Sequence, residues 1–469
     1  MNIRYLSLLL SGCALLAGAT RASAQYFTSG DLVVSLYGST TGTNVITDGA
    51  TPITLQAYSL PTPTSASLVL TDPLPATGSN GNVGIDGEDG SSSEGTLQLS
   101  GNGQYLTIGG YDGNAAANGI QAASNSANSK SFTPGTAWGA STIALAQSAD
   151  TDVPRVAATI DANGNVNTST AYSGPYNTNN PRGVYSPDGT NFYLSGQGSG
   201  ATDEGGIYAT TLGTNTTTGG AAPTGIYTVV STRDVLESGG NLYYSADQNS
   251  KKGIQTGIFE YSGAPTTSQG SNTGARLTPA STVTQTGTVN YSPEGFAFAT
   301  GTTMYVADTG DPKAGGTGDG GIQKWSLLSS GTWSLDYTLT PSNFISPTLA
   351  TSTNSVGETG FEALTLNVVG NSVDIYGVSY TVGPDGTANG LYGVVDSLSN
   401  LSSTVAQTET FTEMESAPGV TGSNADYNFK GVSFAPTAAP AAVPEPGTWG
   451  MAFGGLGLLL VYHRARRRT

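Results

Sequence analysis

Two neighbouring stretches, EGFAFATGTTMYVADTG (294–310) and GGIQKWSLLSSGTWSLDYTLT (320–340), contain four short runs in which apolar and polar residues alternate. Gly, Ser and Thr punctuate the runs, and alternation with a period of two marks a strand whose two faces meet different surroundings. The first run opens on a charge, Glu294, followed by Gly. The same opening recurs in EGTLQLS at Glu94, RGVYSPDG at Arg182, RDVLESGG at Arg233, EALTLNVVG at Glu362 and KGVSFAP at Lys430. Successive charges lie 88, 51, 61, 68 and 68 residues apart, and Gly follows the charge in four of the six.

Behind the opening strand come a turn and a second strand: QYLTIGGY, NFYLSGQG, NLYYSAD, TMYVADTG and VDIYGVSY. A third, outward strand is visible in GGIYATTL, TGIFEYSG, GGIQKWSL and GLYGVVDS, and a fourth in GTWSLDYTLT. In the first unit RVAATIDANGNV supplies the third strand. Four antiparallel strands repeated radially describe a β-propeller blade. The sixth unit stops after its first strand, at Pro436, while the chain begins with three strands that lack an opening partner, DLVVSLYG, TPITLQAYS and SASLVLTD. The pattern therefore predicts an all-β protein, a six-bladed propeller over Asp31–Pro436 whose last blade joins strands from both ends. Seven blades are the alternative if the 88-residue interval holds another. An open two-sheet sandwich leaves the complementary ends unexplained.

Composition agrees with many short strands and turns: of 469 residues, 66 are Gly and only 10% are charged. The formal charge is −17. Setting aside the segments before Gln25 and after Val443 leaves 10 basic and 32 acidic residues, so the body stands near −22. Such a body repels phosphate backbones and anionic headgroups, which excludes nucleic acid as a partner. The start, MNIRYLSLLLSGCALLAGATRASAQ, has a basic residue, an apolar run and an Ala-Ser-Ala exit, the pattern of a secretory signal over 1–24 cut after Ala24. Leu10-Ser11-Gly12-Cys13 also fits a lipoprotein cleavage box. With cleavage after Ala24 the body has neither Cys nor His, since Cys13 and His463 are the only ones. Cys–His dyads, Ser–His–Asp triads and zinc–histidine sites are then out of reach.

The six charges that open the inner strands, Glu94, Arg182, Arg233, Glu294, Glu362 and Lys430, should form a ring around one mouth of the axial channel. Three acids and three bases suit mutual pairing that pins the blades; the same ring in a concave mouth suits a small ligand. The acidic loops IDGEDGSSSEG (Asp86, Glu88, Asp89) and ADTGDPKAGGTGDGG (Asp308, Asp311, Asp319) read as solvated turns, with Ca²⁺ as the alternative, although neither has EF-hand spacing. Tyr105, Tyr193, Tyr243, Tyr305 and Tyr376 recur in second strands, which places them between blades. Trp325 and exposed Tyr residues are the candidates for stacking on carbohydrate.

The chain ends in VPEPGTWGMAFGGLGLLLVYHRARRRT. Its apolar part, Thr448–Tyr462, is 15 residues long. At about 1.5 Å per residue it falls short of a hydrocarbon core of roughly 30 Å. Pro444-Glu445-Pro446, the apolar run and the basic stop Arg464, Arg466, Arg467 and Arg468 resemble, in order, the PEP-CTERM sorting signal of Gram-negative bacteria. The resemblance implies recognition of Pro444, Glu445 and Pro446 by an exosortase after passage through the general secretion machinery. It also implies transient anchoring in the inner membrane through a short hydrophobic transmembrane helix, removal of the tail, and a link to exopolysaccharide and biofilm. The organisation expected is a signal peptide at 1–24, a propeller at 25–436, a linker at 437–443 and the sorting signal at 444–469. The body resembles a group of exported propeller proteins sharing the strings EGTLQLSGNGQYL, GGIQKWSLLSSGTW and KGVSFAP, and that group brings no activity with it. The expected function is binding or structural work at the cell surface or in the extracellular matrix, with extracellular polysaccharide as a partner. The alternative is a propeller hydrolase or lactonase that uses carboxylates and a Ca²⁺ held by Glu94, Glu294 and Glu362.

Overall fold

The computed structural model describes residues 26–38, 50–88, 93–114, 145–198, 205–228, 231–247, 249–250, 253–254, 256–278, 291–310, 320–344, 357–382, 389–406, 408–417, 427–439 and 462–467. They fall into two compact units, Met1–Thr437 and Ala438–Thr469. The first unit is a six-bladed β-propeller: six small antiparallel sheets whose inner strands each pack against the next and return to the first.

The first blade runs from Leu97–Leu99 through Tyr105–Asp112 and Arg155–Asp161 to Val166–Tyr172, and Ile85–Asp86 adds a short pairing on the second strand. The second has Pro181–Tyr185, Asn191–Gly196, Gly206–Thr211 and Thr224–Tyr227. The third comprises Thr232–Ser238, Asn241–Ala246, Gly257–Tyr261 and Ala275–Arg276; the fourth Pro293–Thr300, Thr303–Asp308, Gly321–Leu327 and Trp333–Leu339. The fifth is built from Gly357–Val369, Ser372–Val382, Gly390–Ser397 and Thr412–Ser416.

The sixth blade is the one divided between the termini. Its inner strand, Tyr427–Phe434, lies antiparallel to Leu32–Gly38, with Leu32 opposite Phe434 and Gly38 opposite Tyr427, and Ile53–Thr62 and Ser65–Pro73 complete it. A bulge between Ser35 and Leu36 breaks the register. There Ser35 Oγ accepts from the Gly431 amide at 2.8 Å and donates to the Gly95 carbonyl at 2.7 Å, tying the closing blade to the first. The seven-bladed alternative is corrected: the long interval after Glu94 holds the second, third and outer strands of one blade, with 115–144 outside the described residues.

The period of two does the packing. In Thr303–Asp308, Met304 and Val306 enter the core shared with the third blade. Tyr305 and Ala307 from the same strand enter the core shared with the fifth. Leu32, Val34 and Leu36 face the fifth blade, and Val33 and Tyr37 the first. One apolar cluster fills each of the six blade interfaces. Trp325, Tyr305, Tyr244 and Tyr58 are among the largest fully buried side chains, and burial of a large apolar side chain is worth about 1.5–3 kcal/mol. With no disulfide available to the body, these interfaces and the shared closing blade carry its stability.

Candidate functional site

Each inner strand delivers its opening charge to the same end of the axis. Glu94, in the turn before Leu97–Leu99, accepts from Tyr111 Oη at 2.5 Å and from Asn180 Nδ2 at 2.7 Å. Arg182 reaches from the second blade onto the third, donating to the Thr232 carbonyl at 3.0 Å and Ser231 Oγ at 2.9 Å, and also to Gln197 Oε1 at 2.7 Å. Arg233 lies 3.4 Å from Glu294 and 3.4 Å from Asp247, an acid contributed by the end of the third blade's second strand. Lys430 is 4.0 Å from Glu362. Lys430 and Arg182 both attract Glu94, which completes the belt. Arg233 keeps 12% of its side-chain exposure, and the other five are buried.

Burial sets the electrostatics here. It pushes the Glu94 carboxyl up to about 7, against hydrogen bonds from Tyr111 and Asn180 and attraction to Lys430 and Arg182 that favour the anion. Burial first, and repulsion from Arg233 second, bring Arg182 down to about 9. Oε2 of Glu94 is buried and has no hydrogen-bond partner among the described residues.

One layer further along the axis the residue after each charge explains the sequence pattern. In blade order these are Gly95, Gly183, Asp234, Gly295, Ala363 and Gly431. A Cβ on Gly431 would lie 2.3 Å from the Leu97 amide nitrogen and 2.5 Å from the Gly95 carbonyl oxygen. One on Gly183 would lie 2.7 Å from Asp234 Oδ1. The inner strands converge so tightly that only the third blade places an ionisable side chain in this layer. Asp234 is buried and accepts from its neighbour's amide, Val235 N, at 2.8 Å. Gln98 Nε2 reaches over from the first blade to donate both to Asp234 and, at 3.0 Å, to the Val235 carbonyl. Burial pushes the Asp234 carboxyl up to about 7. The residues missed by sequence reasoning are therefore Asp234 and Gln98. The signal for Asp234 was present, as the one acid in a column otherwise holding Gly or Ala.

Beyond this layer the axis widens into a cavity of about 280 Å³ lined by the inner strands of all six blades. Along the third blade exposure rises from buried Asp234 to half-buried Leu236, Glu237 and Ser238, so the funnel opens at the end remote from the charged belt.

The acidic loops are not solvated where they are described. Asp86, Glu88 and Asp308 are buried. Burial, with repulsion from Asp112, pushes Asp86 up to about 7, and Glu88 accepts from the Ala146 amide. Asp308 accepts from Ser292 N at 3.0 Å, Gly310 N at 2.9 Å and Gln323 Nε2 at 2.8 Å, and burial pushes it up to about 7 as well. Asp89, Asp311 and Asp319 lie outside the described residues. Among the described residues no group of three or more His, Cys, Asp or Glu is arranged to hold a metal ion. Trp325 has no exposed surface for a sugar, because its ring fills the core between the third and fourth blades and its Nε1 donates to Gln323 Oε1 at 2.9 Å.

A second buried ionic cluster, away from the axis, joins the fourth and fifth blades. Lys324, in the GGIQKW string, lies 3.1 Å from Asp396 and donates to Ser397 O at 2.6 Å, Asn400 O at 2.8 Å and Tyr337 Oη at 3.0 Å. Asp396 in turn accepts from Tyr305 Oη and, at 2.8 Å, from Tyr337 Oη.

In the C-terminal unit residues 462–466 form a helical turn carrying Arg464 and Arg466, with Arg467 following, all exposed. Pro444, Glu445, Pro446, Arg468 and the apolar run to 461 lie outside the described residues, as does the leader. No helix among the described residues is long and apolar enough to cross a membrane.

No family model matches the chain, and no curated protein does. Among solved structures it is similar to a chain of a nidogen–laminin complex, at 12% identity and a TM-score of 0.30, covering 61% of this chain and 96% of that one. It is also similar to apo AztD from Citrobacter koseri (7% identity, TM-score 0.26, 87% and 100% covered). An apocarotenoid oxygenase mutant from Synechocystis matches at 11% identity and a TM-score of 0.33, with 87% and 93% covered. Likenesses this distant have no bearing on ligand or activity.

Proposed function

We propose that the protein is an exported propeller with a binding or structural role at the cell surface or in the extracellular matrix, sorted by an exosortase-type system. The observation that carries the structural half of this reading is the pairing within the axial belt. Arg233 engages Glu294 and Lys430 engages Glu362, so two of the three acids that a Ca²⁺-dependent hydrolase would need are committed to cations that lock the blades together, and burial favours the neutral form of the third, Glu94. A rigid, acidic ring closed by its own termini suits a scaffold outside the cell. The sorting half rests on the order of Pro444-Glu445-Pro446, apolar run and arginine stop, together with the leader at 1–24. Extracellular polysaccharide is the partner that such an address suggests.

Mass spectrometry of the mature protein from cells that carry an exosortase tests the sorting. The expected polypeptide begins at Gln25 and has lost the apolar run with its arginines. An intact terminus at Thr469 overturns the reading. A glycan-binding screen on the same material tests the partner.

A further inference from the structure

The axial funnel combines an acidic floor with an apolar collar. Every blade contributes an apolar residue to its lining: Leu99, Tyr185, Leu236, Phe298, Leu364 and Val432. Its floor is Asp234 under the Gln98 amide, with Glu237 nearer the opening. No lining residue is basic, while two, Asp234 and Glu237, are acidic. A cavity of about 280 Å³ lies just below the usual range for small-molecule sites, roughly 300–1,000 Å³, and admits one ring with a short chain.

We propose that this funnel binds a small organic cation, with its ammonium group on Asp234 and the Gln98 side-chain carbonyl, and its apolar body against the Leu236–Phe298 side of the collar. An anion would meet two carboxyl groups and no base. A primary amine on a hydrophobic body answers both surfaces at once, and the acidic body draws cations toward the mouth. Asp234, pushed up to about 7 by burial, exchanges its proton for the ligand's charge. Binding therefore tightens as pH rises through that value.

The inference rests on the binding role proposed above, and its failure is distinguishable from failure of that reading because the mature termini report sorting independently of any ligand. The test is calorimetric titration of the secreted protein with 2-phenylethylamine, its neutral isostere 2-phenylethanol, and phenylacetate, at pH 6 and pH 8. The amine is expected to bind about tenfold tighter than the alcohol at pH 8, a difference of about 1.4 kcal/mol. Phenylacetate should show no binding, and the advantage of the amine should shrink at pH 6. Asp234→Asn should erase the preference for amine over alcohol. Phe298→Ala, at a half-buried collar position that should fold even if the first variant does not, should weaken amine and alcohol alike. Equal affinity for amine and alcohol, a preference for phenylacetate, no binding of the amine at millimolar concentration, or a preference that survives Asp234→Asn would each overturn the proposal.

Discussion

Between the fourth and fifth blades one lysine is enclosed by acceptors, whereas along the axis three cations are shared among more carboxylates. Lys324 has a carboxylate, a tyrosine hydroxyl and two backbone carbonyls within hydrogen-bond reach. Arg182, Arg233 and Lys430 are shared among Glu94, Asp247, Glu294 and Glu362, with Asp234 in the layer beyond them. In the first cluster a tight pair, Lys324 and Asp396 at 3.1 Å, dominates, with one further acid, Glu409, pushed up to about 7 by burial and by Asp396 beside it; in the second, looser cluster the excess of acid is larger, and burial raises Glu94 and Asp234. A buried charge is tolerable when paired or neutralised. The first region leans on one close ion pair and the second on proton uptake at several carboxyls, so they should respond differently to the loss of a cation.

The largest effect should follow removal of the enclosed lysine. Lys324→Met leaves Asp396 buried with two tyrosine hydroxyls and the Ser397 amide as donors but no cation, and breaking such a pair costs about 3–5 kcal/mol. Lys430→Met removes a cation only 4.0 Å from its partner, in a cluster able to take up a proton instead. Its cost should be smaller at pH 5 and grow toward pH 8. Urea midpoints of both variants at the two pH values check this, and equal losses would remove the distinction between the clusters.

Next in size is the steric demand of the convergent layer. Gly431→Ala drives a methyl into backbone atoms of the first blade, where no side chain can swing away, and overpacking of this kind costs about 1–3 kcal/mol or more. Ala363→Gly, in the equivalent position of the fifth blade, should cost about 0.5–1 kcal/mol through chain entropy and up to about 0.8 kcal/mol more for the buried methyl. Thermal unfolding of the pair measures the difference. If Gly431→Ala is the milder substitution, the inner strands are not as close as described.

Those two positions show what could be read in advance. The charge–Gly–strand signature and the complementary ends of the chain announced the propeller, because a period of two and an unfinished repeat follow directly from strand geometry and ring closure. The outer strands Thr224–Tyr227, Ala275–Arg276 and Thr412–Ser416 were not legible: two to five residues at an exposed edge carry too little alternation to stand out. The six belt charges could be named because the repeat aligns them. Asp234 sat in the neighbouring column but was passed over, and Gln98 has no counterpart to align with, since its partner lies two blades away. Asp86, Glu88 and Asp308 looked solvated because Gly- and Asp-rich loops usually are; only the packing of residues distant in sequence shows that they are enclosed. Lys324 gave no warning either, since a lone lysine in an alternating strand reads as a residue facing solvent.

The axial excess of acid has a sign that solution measurements can read. Glu94, Asp234, Asp308 and Asp86 are each pushed up to about 7 by burial, from unfolded values of 4.5 for Glu and 3.8 for Asp. Between those limits the folded protein holds more protons than the unfolded chain, so stability falls as pH rises. The contribution is complete below the unfolded values and is lost on passing through 7. The melting temperature should therefore be higher at pH 5 than at pH 8, the reverse of the trend given by salt-bridged carboxylates. A melting temperature that climbs from pH 5 to pH 8 would show that cation pairing outweighs burial along the axis.

The smallest effect, and the most specific, concerns Glu94 alone. Glu94→Gln keeps an oxygen to accept from Tyr111 and Asn180 and removes the proton that burial makes costly to lose. At pH 5 the variant should match the parent to within about 1 kcal/mol, because both carry a neutral side chain there. Toward pH 8 the parent loses stability on charging Glu94 and the variant does not, so the gap between the pH 5 and pH 8 melting temperatures narrows by the share of one group. Lys324→Arg, in the closed cluster, should leave that gap unchanged whatever it does to overall stability. A Glu94→Gln protein with the full pH dependence of the parent would mean that Lys430 and Arg182 hold Glu94 ionised in the folded state. The axial belt would then be held by ion pairing, as Lys324 and Asp396 are, and the contrast between the two regions would rest on geometry alone.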